Sequence, residues 1–148
     1  MTLVEDVSRA ITDAMKAKDA QRLVALRMLK AALMNREVER GRALDEIEAR
    51  QVVMALVKQR RDSIEQFTKG GRKDLADKET AEIVVLESYL PPAVDAAELE
   101  RIVDNAIAST AAVSAKDMGK VMKAVMADLA GQTVDGKAVN ELVRRKLG

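Results

Sequence analysis

The chain has 148 residues and a formal net charge of +1; 48% of its side chains are apolar, 33% are charged, and the aromatics are Phe67 and Tyr89 alone. That balance belongs to a globular protein with an aliphatic core, large enough for one substantial domain or two small ones. With no Cys and no His, thiolate and imidazole metal sites, Ser-His-Asp triads, cysteine nucleophiles and disulfides are all excluded.

Thr2 and Glu5 have the spacing of a capping box, which predicts a helix from there to about Ala17. The start, MTLVEDVSRAI, lacks the basic-then-apolar layout of a secretory signal, and no apolar run reaches membrane-spanning length. The expectation is a cytoplasmic protein without a membrane segment. Asp19 is the next N-cap and opens a long helix through LVALRMLKAALMNREVER that stops at Gly41, a natural left-handed C-cap. At about 100° per residue, Arg27 lies among Leu23, Met34 and Val38, and Lys30 among Leu23, Leu26 and Glu37. Such side chains either lay their stems over apolar surface with the charge in water or belong to pairs between helices.

Asp45 with Glu48 caps a third helix running to about Thr68, ended by Gly70-Gly71. A fourth starts near Asp74, its cap, and ends at Leu90, because Pro91 and Pro92 cannot continue it. The turn Gly70-Gly71-Arg72-Lys73 precedes a helix start, where free N–H groups could hold a phosphate. It lacks the length and spacing of a nucleotide-binding loop and reads first as a plain turn.

Each of these two helices carries a charge inside its apolar face. Arg60 falls between Leu56, Val57, Ile64 and Phe67; Glu79 falls between Leu75, Ile83, Leu86 and Leu90. The favoured reading is a structural ion pair of Arg60 and Glu79, shared with Glu82 at the edge of the same face. The competing readings are a polar pocket for an anion or a carbonyl, and an Arg60 that snorkels without meeting Glu79.

The proline pair sets the expected boundary between an N-terminal domain over residues 1–92 and a C-terminal domain over 93–148. Asp95 with Glu98, Ser114, and Asp135 open three short helices beyond it. The second carries Met118, Val121, Met122, Val125, Met126 and Leu129 on one stripe, closed by Gly131. The third turns Val139, Leu142, Val143 and Leu147 inward. At about three turns each, none is stable alone, so the three must pack together. The methionine stripe reads as core rather than as an adaptable groove. The fold class is all-α: an N-terminal bundle of about four helices and a small C-terminal three-helix domain.

LRMLKAALMNREVE, KQRRDSIEQF, GGRKDLADKE, YLPP, DMGKVMKAVM and DGKAVNELV, in that order over essentially the whole chain, resemble the YqeY family. The C-terminal part of that family is similar to the tail domain of the GatB subunit of the tRNA-dependent amidotransferase, which makes the amide from Glu-tRNA(Gln) or Asp-tRNA(Asn). The resemblance implies a non-catalytic helical module with tRNA as partner. It makes Lys120, Lys123, Lys137, Arg144 and Arg145 the candidate nucleic-acid contacts, with Lys116 and Lys146 beside them. By charge alone these residues are an ordinary solvated surface, diluted by Asp117, Asp128, Asp135 and Glu141. The family pattern also places basic residues between a methionine and a glycine where this chain reads Ala127, Asp128, Leu129, Ala130. The C-terminal domain has no aromatic platform for bases, so recognition would rest on shape and backbone.

A protein–protein adaptor is the alternative. A carbon–nitrogen ligase using glutamine as amido donor is the third reading, and it lacks an activated nucleophile. No cofactor and no metal is expected.

Overall fold

The computed structural model describes residues 2–148. Among them are seven α-helices, one 3-10 turn and an isolated bridge, with no strand. The chain divides into two compact units, one running to Leu90 and one over Pro91–Gly148.

The first unit holds α1 (Leu3–Lys16), α2 (Ala20–Arg40), α3 (Glu46–Lys69) and α4 (Lys73–Glu87). Its helix starts are chemically explicit. The Thr2 hydroxyl accepts from the Glu5 N–H and the Glu5 carboxylate accepts from the Thr2 N–H; Asp45 and Glu48 repeat the exchange at α3. Asp19 accepts from the Arg22 N–H at α2. Each cap contributes about 1 kcal/mol. Gly41 closes α2 at φ 72°, and Gly71, at φ 73°, takes the left-handed position after α3. Buried Ala25, Leu26, Leu29 and Leu33 of α2 form the centre of the core, meeting Val7, Val53 and Leu86. The helix touches α1, α3 and α4, and α3 lies along α4.

The fourth helix departs from expectation at both ends. Arg72 precedes it without a capping side-chain bond, and Asp74 sits in the first turn, turned to the Arg72 guanidinium at 3.2 Å. The helix stops at Glu87 instead of Leu90. The Ser88 hydroxyl donates to the Val85 carbonyl, and the Tyr89 and Leu90 N–H groups reach back only three residues, to Leu86 and Glu87. The last turn tightens because the position before a proline disfavours the α conformation.

The second unit holds α5 (Ala96–Ser109), the 3-10 turn Ala115–Asp117, α6 (Met118–Asp128) and α7 (Gly136–Leu147). Val103, Val121, Val125, Leu129, Val139 and Val143 are its closed core. Pro91 belongs here: its carbonyl accepts from the Thr133 hydroxyl at 2.6 Å, and the Val94 N–H reaches the Thr133 carbonyl at 2.9 Å. Ser114 caps the 3-10 turn rather than α6. The methionine stripe is core only in part. Met118 and Met122 pack against the core, whereas Met126 is 41% exposed. One residue past buried Val125, it is rotated by about 100° off the line of Val121, Val125 and Leu129.

Candidate functional site

Arg60 stands where α2, α3 and α4 meet. Its Nε lies 3.3 Å from Glu82 and 3.8 Å from Glu79, and its Nη2 reaches the Met28 sulfur at 2.8 Å. Two expectations are reordered. Glu82, a buried charged residue of the core, is the hydrogen-bonded partner, and Glu79 is the looser one, with an Oε2 that has no hydrogen bond. Met28 on α2 is a partner that no spacing in the chain singles out. Its signal was the turn of α2 that carries buried Leu29, but nothing in the spacing says which helix would face Arg60. Chemically the cluster docks three helices. Both carboxylates face the one guanidinium.

The turn at Gly70 commits its own N–H groups to α3. The N–H groups of Gly70, Gly71 and Arg72 donate to the carbonyls of Gln66, Thr68 and Phe67, all within α3. They finish α3 and are not free to cradle a phosphate.

The strongest electrostatic perturbation in the first unit belongs to a cap. Arg42 donates to both Glu48 oxygens, at 2.7 and 3.0 Å, and Arg40 adds a contact at 3.4 Å. The Arg42 hydrogen bonds, then the Asp45 N–H, hold the Glu48 carboxyl at about 2, from an ordinary 4.5. A shifted carboxyl often marks a functional site; here it pins the loop after Gly41 to the start of α3.

In the second unit the structure sorts the basic residues. Lys146 turns inward to Glu100 and Asp104 of α5, at 2.9 Å each, and these carboxylates raise its pKa. Lys120 lies 3.9 Å from Asp117. Lys123, Lys137, Arg144 and Arg145 are exposed and make no ion pair among the described residues. Lys137 and Arg144, seven residues apart, share one flank of α7. Arg145 lies on the other, lining a cavity of about 370 Å³ between α5 and α7 with Leu99, Glu100 and Leu142. Lys120 and Lys123 project from α6 opposite its buried Val121 and Val125. Around α7, Lys137 and Arg144 therefore stand apart from Arg145.

The acids of this unit are largely committed. Asp95 and Asp135 cap α5 and α7, and an Asp117 oxygen accepts from the Val113 N–H, a bond that lowers its pKa. Glu98 pairs with Arg101, and Glu100 and Asp104 with Lys146. In the stretch after Met126, Leu129 is 2% exposed and Asp128 points outward, so no cation is presented there.

Among the described residues no group of three or more acidic side chains is placed to hold a metal ion, and no helix is long and apolar enough to cross a membrane. The chain is similar to fungal proteins named "Altered inheritance of mitochondria protein 41, mitochondrial". With that of Lachancea thermotolerans it shares 35% identity over 105 residues, 69% of this chain and 56% of the relative. With that of Eremothecium gossypii it shares 38% over 89 residues, 58% and 49% of the two chains. With that of Pyrenophora tritici-repentis the figures are 26% over 140 residues, 93% and 77%. The matches thus span about half the length of the first two relatives. The names of these relatives overturn the expectation of a cytoplasmic protein, which rested on the character of the first residues and on the lack of a membrane-length apolar run. A family model described as "Yqey-like protein" matches residues 4–147, and the chain belongs to that family, YqeY.

Proposed function

We propose that the chain is a non-catalytic helical module that associates with tRNA through its second unit, a domain similar to the GatB tail. The observation that supports this reading is the division of charge in that unit. Most of its side-chain carboxylates, Asp128 and Glu141 apart, are held in caps and ion pairs, where helix N-termini or cations offset them, while Lys123, Lys137, Arg144 and Arg145 stand exposed without acidic partners. Such side chains neutralise backbone phosphates. Without aromatic platforms, the contact reads shape and backbone rather than bases.

The test is fluorescence anisotropy of labelled tRNA with the full chain, from low to moderate salt. Each phosphate contact contributes about 0.7–0.9 to the slope of log affinity against log salt. Replacing Lys137, Arg144 and Arg145 with Ala is expected to reduce that slope by about 2. No binding at low salt, or a slope the triple variant leaves unchanged, refutes the reading. A protein–protein adaptor is the second reading, favoured by the cavity between α5 and α7, whose walls mix Leu99 and Leu142 with Glu100, Glu141 and Arg145. A protein partner that survives RNase treatment of a pull-down distinguishes it from RNA association.

A further inference from the structure

The outer face of α2 is apolar and uncovered. Val24, Met34 and Val38 are 47%, 49% and 81% exposed, and Arg27 and Ala31 between them are exposed as well. They lie opposite the buried Ala25, Leu26, Leu29 and Leu33. The positions 24, 27, 31, 34 and 38 alternate steps of three and four, the spacing of a coiled-coil seam. Lys30 and Glu37 stand along one rim of this seam, half-buried, and neither side chain has an ion-pair or hydrogen-bond partner among the described residues.

We propose that this face is where two copies of the chain meet, α2 against α2 and antiparallel, about a two-fold axis passing between Ala32 and Leu33. In an antiparallel pair the two kinds of seam position face each other, and like rim positions face across. This register sets Ala31 opposite Met34 of the second copy, small against large. It sets Arg27 opposite Val38, so that the arginine stem covers the valine while its head reaches water. Lys30 of each copy then meets Glu37 of the other, and the symmetry makes the pair twice.

Charge selects this arrangement over its neighbours. The antiparallel register one layer along brings Lys30 against Lys30. A parallel in-register pair sets Lys30 opposite Asn35 and forms no ion pair. The overlap, residues 25–40, is about 24 Å long. An interface of that size is small for a permanent dimer, so the dissociation constant falls on the order of micromolar or weaker.

Sedimentation velocity on the full chain, over concentrations on the order of 1 µM to 1 mM, tests the proposal. The parent chain is expected to pass from monomer to dimer. Glu37→Lys and Lys30→Glu each place like charges across the axis and are expected to weaken the dimer about tenfold. Lys30→Glu/Glu37→Lys together restore opposite charges and are expected to return it to near the parent value. Circular dichroism checks that each variant keeps the parent's helicity, and either single variant suffices if the other fails to fold. A chain that stays monomeric throughout, a dimer indifferent to both single variants, or a double variant no better than the singles overturns the proposal.

Discussion

Arg60→Ala is the most informative perturbation of the first unit. The Arg60 side chain is 13% exposed, that of Glu82 is 7% and that of Glu79 is 24%. Removing the guanidinium strands the Glu82 carboxylate in the core and leaves Glu79, one helical turn away, as a like charge. Losing one partner of a buried pair costs about 3–5 kcal/mol; the water that reaches Glu79 places this case at the low end, about 3 kcal/mol. In a unit of this size each kcal/mol moves the melting temperature by about 4–8 °C, so a fall of about 12–24 °C is expected. Glu82→Ala costs less, about 2 kcal/mol, because Arg60 keeps Glu79 and some access to water. Glu79→Ala costs below about 1 kcal/mol, since its oxygen is 3.8 Å from Arg60 and makes no hydrogen bond. Thermal and urea unfolding followed by circular dichroism give the three values. A double-mutant cycle should find stronger coupling for Arg60–Glu82 than for Arg60–Glu79. Equal losses from all three variants, or an Arg60→Ala protein as stable as the parent, would refute the docking argument.

Two further outcomes follow from local geometry. Glu48 has a folded pKa of about 2, below its ordinary 4.5, so its contribution to stability is complete above about pH 4.5 and is lost as the pH falls towards 2. In urea unfolding at a series of pH values, Glu48→Gln should flatten the acid limb across that window; an unchanged limb contradicts the Arg42 latch. Gly41→Ala places a Cβ in open space but keeps φ at 72°, so its cost is backbone strain alone, about 1 kcal/mol. A loss several times larger in the same unfolding assay would show that something beyond backbone conformation acts at the end of α2.

Local chemistry was legible in the chain. Thr2 with Glu5, Asp45 with Glu48, Asp19 and Gly41 act within a few residues of themselves, and their spacing carries the geometry that the structure shows. The inward face of α7 follows equally from the 100° step, as buried Val139 and Val143 attest. Periodicity blurred at single steps, as with Met126, and at helix ends, where Ser88 and the proline pair compete for the last turn of α4.

The choice of partners lay beyond such reasoning. Spacing placed Arg60 and Glu79 on apolar faces, yet whether Glu79 or Glu82 came nearer depends on how α4 is rotated against α3. Long-range packing of the core sets that rotation. The same holds for the basic residues of α7: Lys146 and Arg144 are two steps apart in sequence, but only the seat of α7 beside α5 gives one of them two carboxylates and leaves the other open to water. The bare outer face of α2 emerged for the same reason. Val24, Met34 and Val38 read as ordinary apolar positions until three neighbouring helices had all been placed on the other side.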